Sequence, residues 1–355
     1  MKQRIEALRE NMRKASLDAA VVTSGVNIRY YSGFTSSEAI FLVTHKNTYL
    51  VTDFRYTIQA NAQTMGLCEV VEASFSEQLN RIRDFLTQDG CKRAGFEEDV
   101  LSVGEFRKYE AMPVSWVSFG TEISAPRLYK GTEEVANLQA AQRIADKSFL
   151  EWLGRIGAGM TEKEAAAELN YVCAKNGSDA PSFDPIIAAG SNSAMPHATP
   201  GERKLQKGDL VTADFGCMIN GYHSDMTRTF AIGSIDAESR EIYEIVKTAQ
   251  QLSLNVLKSG ISGKELDAAA RDYITQKGYG PQFGHGTGHG FGLEIHESPY
   301  ARALSTDMLY SGMTITVEPG IYIEGKFGVR IEDCCVVTDD GCINLVSVTK
   351  ELITI

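Results

Sequence analysis

The feature that most constrains this chain is an internal repeat. Gly159-Met160-Thr161-Glu162-Lys163-Glu164 recurs as Gly260-Ile261-Ser262-Gly263-Lys264-Glu265. Both copies carry Ser/Thr-x-x-Glu, the reciprocal pairing of side chain and backbone that opens a helix. Each copy follows a long amphipathic stretch, and each new helix is expected to stop at a glycine, Gly177 or Gly278. The correspondence continues downstream. Leu205-x-x-Gly208 followed by Asp214 matches Leu309-x-x-Gly312 followed by Glu318, and Gly221 to Asp225 matches Gly328 to Glu332. His197-x-x-Pro200 matches His296-x-x-Pro299. Each match is loose alone, but their common order predicts two similar α+β halves facing each other across a pseudo-twofold axis.

The repeat occupies only the later part of the chain. At 355 residues the sequence is long for one core, and a boundary is expected near Ser124-Ala125-Pro126. Residues 1–125 read as a smaller α/β domain and residues 126–355 as a larger α+β one. In the first, Ala19 to Thr23, Ala39 to Thr44 and Thr48 to Thr52 read as strands, with a hairpin turn at His45-Lys46-Asn47 and a helix near Ser76 to Gln88. No cluster of catalytic groups stands out there. The second opens with a helix from Thr132, with Glu133 and Glu134 in its first turn, expected to run to about Ile156.

Composition narrows the function. Hydrophobic residues make up 43% and charged residues 23%, an ordinary globular balance with no apolar run long enough for a membrane helix. The charged N-terminus lacks a secretory h-region, so a cytoplasmic location is expected. Seven cysteines with no Cys-x-x-Cys pair argue against a disulfide framework or a thiolate zinc site. A net charge of −11 argues against a nucleic-acid partner. Acids that hold cations inflate that figure.

Four acids fall in matched places. Asp209 to Ile219 and Tyr222 to Ile232 read as strands joined by Asn220-Gly221, a strong hairpin signal. In two-residue register Asp214 lies opposite Thr227 and Asp225 opposite Gly216, so both aspartates share one face. A bulge would shift that register. Glu318 and Glu332 fall opposite each other if a second hairpin turns at Gly325, although Pro319 and Gly320 must distort its strand. Singly, each acid has an ordinary explanation as a surface charge, a strand end or an arginine partner. Together they would repel one another in a low-dielectric interior unless protonated or neutralised by cations. Arg228 and Arg330 are too few for four acids, so bound divalent metal is the economical answer. An oxygen-rich set with one imidazole suits Mn²⁺, Co²⁺, Fe²⁺ or Zn²⁺. The imidazole is expected from the run Gly284 to His296, which holds His285, His289 and His296, with His197 at the cavity edge. That glycine-rich run lacks the Gly-Lys-Ser/Thr ending of a phosphate loop. His45 and His223 read as surface residues, and Cys334-Cys335 as buried packing.

The ordered set Asp214, Asp225, His289, Glu318, Glu332 resembles the dinuclear site of the pita-bread metallopeptidases. The supporting motifs are Met195-Pro196-His197, Ser224-Asp225-Met226-Thr227-Arg228-Thr229, Gly288-His289-Gly290 through His296-Glu297, Val317-Glu318-Pro319-Gly320 and Arg330-Ile331-Glu332-Asp333. Residues 1–125 are similar, more loosely, to the extra domain of the prolidase, aminopeptidase P and creatinase branch. The resemblance implies a pita-bread catalytic domain behind a creatinase-like N-terminal domain, and hydrolysis of the bond between an N-terminal residue and proline in short peptides. It implies two divalent ions per subunit, Mn²⁺ first with Co²⁺, Zn²⁺ or Fe²⁺ as alternatives. Asp225 and Glu332 would bridge them, Asp214 would complete one, and His289 with Glu318 the other. Glu318 would accept the proton of the attacking water, His197 and His296 would assist at the scissile bond, His285 would contact substrate, and Arg330 would orient a ligand carboxylate. A homodimer is implied as well. Arg302 is a possible clamp for a substrate carboxylate. A catalytically silent peptide-binding module of the same fold, or a different two-metal hydrolase, are the alternative readings.

Overall fold

The computed structural model describes residues 1–355, which form two compact units, residues 1–127 and 128–355. The first unit is built on one mixed sheet. Its strands are β1 (Ala19–Val22), β2 (Ala39–Thr44), β3 (Thr48–Thr52), β4 (Glu69–Glu72), β5 (Arg93–Phe96) and β6 (Ser115–Ser118), ordered β4-β3-β2-β1-β5-β6. Strand β2 runs antiparallel to both neighbours, and the other pairings are parallel. Helices α1 (Lys2–Lys14), α2 (Gly25–Ser32), α3 (Thr57–Thr64), α4 (Gln78–Gln88), α5 (Val103–Glu110) and α6 (Gly120–Ser124) flank it. Parallel neighbours need crossovers, and helices covering a sheet face explain why β2 is buried throughout rather than on alternate residues. One core lies where Val21, Leu42, Tyr49 and Val51 meet Ile82 and Leu86 of α4. The three strands expected from sequence form as read. Strands β4, β5 and β6 were not expected: each is four residues long with weak alternation, and the sheet supplies what the local signal lacks.

The second unit carries the repeat. Its helices are α7 (Thr132–Leu153), α8 (Glu162–Lys175), α9 (Ala237–Val256) and α10 (Gly263–Gln276). Helices α7 and α8 precede β7 (Ala180–Pro181), β8 (Ile186–Ala189), β9 (Leu210–Phe215), β10 (Cys217–Ile219), β11 (Tyr222–His223) and β12 (Met226–Ala231). Helices α9 and α10 precede β13 (Gly288–Gly290), β14 (Glu297–Ala301), β15 (Thr314–Val317), β16 (Gly320–Ile323), β17 (Phe327–Arg330), β18 (Asp333–Val337) and β19 (Cys342–Asn344). Helix α7 ends at Leu153, short of Ile156, because Gly154 already caps it. Helices α8 and α10 open with the expected capping boxes on Thr161 and Ser262.

The backbone repeats the symmetry that the motifs suggest. Gly159 N–H donates to the Leu205 carbonyl and Glu162 N–H to Arg203. In the second half Gly260 N–H donates to Leu309 and Gly263 N–H to Asp307. Each half packs its long helix on its strands. In the first, Phe149 and Trp152 of α7 lie against Phe230, and Phe149 also stacks on Phe215. In the second, Ile242, Val246 and Ala249 of α9 join Ile321, Phe327 and Val329. Truncating Trp152 to alanine would cost about 3–5 kcal/mol.

Both hairpins break partway along, and those breaks make the site. Strands β9 and β12 pair with Asp214 opposite Thr227, as expected, and β10 and β11 keep the same register. Between them Gly216 and Asp225 leave the ladder. A Cβ on Gly216 would lie 1.8 Å from the Ser224 carbonyl oxygen, so only glycine allows this close approach. In the second half β15 pairs with β18 and β16 with β17 around Gly325, again in one register. Glu318 and Glu332 fall in the gap, where Pro319 has no N–H to give. The freed donors are satisfied elsewhere: Glu318 N–H bonds to the Thr287 carbonyl at 2.7 Å and Glu332 N–H to the Thr227 carbonyl at 3.1 Å.

Candidate metal centre and active site

One cavity of about 360 Å³ in the second unit gathers the metal-ligand and substrate-contact candidates read from the sequence. Asp214, Asp225, His289, Glu318 and Glu332 line it, as do His197, His285, His296, Arg302 and Arg330. Asp214 lies on β9, one residue before its end, and Asp225, Glu318 and Glu332 come from the two hairpin breaks. His289 comes from β13, whose Gly288 and Gly290 lie flush against neighbouring backbone.

The donor geometry is that of a cation site. Ligating atoms of Asp225, His289 and Glu332 lie within 4.8 Å of one another. His289 Nδ1 lies 3.0 Å from the Gly290 carbonyl oxygen, which can only accept, so Nδ1 carries the proton. Burial drives the His289 pKa down to about 4, so the ring is neutral and Nε2 offers a lone pair. That lone pair faces Asp225 Oδ2 at 3.6 Å and Glu318 Oε1 at 3.5 Å. Both distances are too long for a hydrogen bond, and three acceptors facing one point repel unless the carboxylates are protonated or a cation lies between them.

The carboxylates give the same answer. Burial, then the charges of Asp214 and Glu318, push the Asp225 pKa well above the ordinary carboxylate range. Burial and Asp225 do the same to Glu332. Burial lifts Glu318 to about 8, opposed chiefly by Arg330. Asp214 Oδ1 is buried with no hydrogen-bond partner, a costly state for a carboxylate oxygen without a cation. Four hard carboxylates and one borderline imidazole fit divalent transition ions, and the residues present therefore suit the two-ion centre that the motifs imply.

Around these donors runs a buried polar network. Arg330 donates to Asp214 Oδ2 at 2.6 Å, to Thr227 Oγ1 at 3.1 Å and to Tyr322 Oη at 2.8 Å. Thr227 Oγ1 donates to Glu332 Oε2 at 2.7 Å. Tyr322 Oη lies 2.8 Å from His285 Nε2, and His285 Nδ1 lies 2.7 Å from the Gly286 carbonyl. Both ring nitrogens of His285 are thus engaged within the protein, and burial holds its pKa down to about 4. Arg228, fully buried, donates to the Glu332 carbonyl and to Asp333, and braces the strand behind the donors. Thr227, Thr316 and Tyr322 were missed from sequence. Thr316 Oγ1 meets both the His289 N–H and Glu318 Oε1. Threonines and a tyrosine in strands carry no distinctive signal, although Thr227 and Tyr322 lie within a few residues of motif acids.

The other histidines stand at the rim. His296 packs edge-on to His289 with ring centroids 4.3 Å apart. His197 is exposed on the loop after β8, beside Pro196, whose carbonyl accepts from Arg330. The residue after His296, Glu297, is buried and paired with buried Lys130 at 2.5 Å. Outside the cavity, His45 is not merely solvated: its Nε2 lies 2.9 Å from the Leu17 carbonyl oxygen. Cys334 is buried, with its thiol on the Asp225 carbonyl.

Comparison with known proteins agrees with this geometry. Residues 136–339 match metallopeptidase family M24, and residues 4–129 match the creatinase/prolidase N-terminal domain. The chain is 40% identical to the uncharacterized peptidase YqhT of Bacillus subtilis, over 99% of each chain. Among solved structures, an Xaa-Pro dipeptidase from Bacillus anthracis superposes with a TM-score of 0.96 at 40% identity, covering 99% of both chains. An X-Pro aminopeptidase from Thermotoga maritima superposes with a TM-score of 0.91 at 35% identity, covering 98% of this chain and 100% of its own. No helix is long and apolar enough to cross a membrane. A duplicated α+β unit that closes four acids and an imidazole around one cavity, behind a creatinase-type N-terminal domain, is an enzyme of metallopeptidase family M24.

Proposed function

We propose that this protein is a dinuclear-metal peptidase that cleaves the bond between an N-terminal residue and proline in short peptides. The observation that carries the reading is the neutral His289 ring, whose Nε2 lone pair faces Asp225 and Glu318 beyond hydrogen-bond reach. Asp214, Asp225, His289, Glu318 and Glu332 would hold the divalent ions. Bound divalent ions supply Lewis-acid activation of water and of the peptide carbonyl.

The remaining chemistry belongs to the chain. Glu318, buried in the cavity beside His289, would accept a proton from the attacking water. His296 and His197, at the rim of the same cavity, would donate hydrogen bonds to the developing oxyanion and to the departing nitrogen. A proline nitrogen carries no hydrogen before cleavage, so the leaving group needs a proton from the protein or solvent. His285, already bonded to Tyr322, would present its ring to the proline side of the substrate. Arg330 would keep Asp214 oriented.

A dipeptidase preference is favoured over an aminopeptidase one. Arg302 is exposed at the cavity, with its guanidinium 5.2 Å from the Tyr300 ring centroid, and can receive the terminal carboxylate of a two-residue substrate. The same proposal includes Mn²⁺ as the native ion, a homodimer and a cytoplasmic location, which rest on the family resemblance.

Xaa-Pro dipeptides and Xaa-Pro-Yaa tripeptides, offered to metal-free protein with Mn²⁺, Co²⁺ or Zn²⁺ added separately, test the reading. Metal-dependent release of proline from dipeptides is expected. Tripeptide cleavage at equal or higher kcat/KM would replace the dipeptidase reading with the aminopeptidase one. Metal binding without hydrolysis of either would leave a peptide-binding module.

A further inference from the structure

His197 has an exposed ring on a loop, and no hydrogen bond to the protein fixes that ring. Its position depends on how the loop from Gly190 to Pro200 is held. One side chain holds both ends. Glu162, the first residue of α8, is fully buried. Its Oε1 accepts from the Ala189 N–H at 2.8 Å, where the loop leaves β8. Its Oε2 accepts from the Gly201 N–H at 3.0 Å, where the loop returns. Both oxygens accept from Asn192 Nδ2, at 3.1 Å each, inside the loop. Lys163 N–H donates to the Gly201 carbonyl and doubles the anchor.

A buried carboxylate is costly unless its lone pairs are filled, and here backbone and amide donors fill them. The location at a helix N-terminus favours the negative charge further. The equivalent residue of the second half is Gly263. There a side chain cannot fit, because a Cβ would lie 2.1 Å from the Tyr300 carbonyl oxygen. The first half therefore spends this position on a clamp, and the second on direct packing of the strand that follows His296.

We propose that Glu162 is a positioning residue for His197, acting on turnover by fixing the two ends of the loop that carries it. The proposal rests on His197 taking part in catalysis, as argued above.

The test is a double-mutant cycle on an Xaa-Pro dipeptide with Glu162→Gln, His197→Ala and both together, each checked for metal content and melting temperature. Glutamine keeps the shape but turns an N–H₂ toward donors that need an acceptor. Glu162→Gln alone should lower kcat by about 10-fold or more, in the range seen when the partner of a functional group is lost, with KM and metal content changed little. In the His197→Ala background the same change should lower kcat by less than about 2-fold. Equal fractional losses in both backgrounds would make Glu162 merely structural and overturn the proposal, as would wild-type kcat in Glu162→Gln. Wild-type kcat in His197→Ala would instead sink the catalytic reading of that histidine, and this proposal with it. Should Glu162→Gln fail to fold, Asn192→Ala removes the two bonds inside the loop and leaves both ends tied. It should give a smaller loss that His197→Ala masks in the same way, and an unmasked loss would overturn the proposal.

Discussion

The two halves of the catalytic unit solve one problem with different parts. Each breaks a hairpin in mid-ladder next to its acids: Asp225 falls in the first gap with Asp214 on the paired strand beside it, and Glu318 and Glu332 fall in the second. The first half contributes shorter aspartates and one rim histidine on a loop. The second contributes longer glutamates together with His285, His289 and His296. It also ties its network more tightly: Arg330 reaches across to Asp214, Thr316 meets His289 and Glu318, and Tyr322 links Arg330 to His285. A duplicated scaffold thus fixes where charge can gather, and later asymmetry decides which half supplies the imidazole.

Removing a donor from either half should break the comparison most severely. His289→Ala or Asp225→Asn should each lower metal affinity by more than roughly 100-fold, exceeding the 10–100-fold typical of outer partners. Calorimetric titration of Mn²⁺ into metal-free protein measures it, and near-native affinity for either variant would remove that residue from the centre.

Next comes Arg330→Met. It strips the second half's guanidinium from the first half's Asp214, and should cost about 10–100-fold in metal affinity or kcat. If Tyr322→Phe, which loses two bonds in that network, to Arg330 and to His285, costs as much as Arg330→Met, the effect belongs to His285 instead.

The buried pair of Lys130 and Glu297 sharpens the contrast between the rim histidines. Lys130→Met or Glu297→Gln alone breaks that buried pair and should cost about 3–5 kcal/mol in stability. Lys130→Met combined with Glu297→Leu should cost clearly less. Urea unfolding of the three variants decides, and additive losses would show that the pair is not a closed unit.

The smallest effect is a pH slope. Asp225, Glu318 and Glu332 all have raised pKa values in the metal-free fold, Glu318 at about 8. Such acids keep protons in the folded state that the unfolded chain has released, so stability falls as pH rises toward 8. His285 and His289, held down to about 4, weaken the fold only as pH drops below their unfolded value near 6.5. Between pH 6.5 and 8 those two histidines no longer contribute, and the carboxylates set the expected fall. Metal-free protein should lose melting temperature over that window, and Mn²⁺ should abolish the slope. A rising melting temperature in metal-free protein would contradict the assigned protonation.

Much of this was legible before any coordinates, and the reason is chemical. Acids and histidines in matched order around Asn220-Gly221 and Gly325 state both the register and the charge problem. The same symmetry exposes Glu162 only once the loop around His197 is seen to hang from it, because a helix-opening glutamate looks like ordinary capping. Tyr322 and Thr227 stayed silent because their role lies in partners about 40 to 100 residues away. The breaks in the hairpins were only half visible. Pro319 announces one, whereas Gly216 betrays the other only through the crowding of Ser224 and Ser182.

The account stands or falls on the cation site, and counting bound metal tests it most directly. Metal-free protein equilibrated with Mn²⁺ and freed of excess should retain close to two ions per chain by elemental analysis, and hydrolysis of an Xaa-Pro dipeptide should rise in step with occupancy. Protein that retains no divalent ion, or that hydrolyses the dipeptide equally well without one, would contradict it.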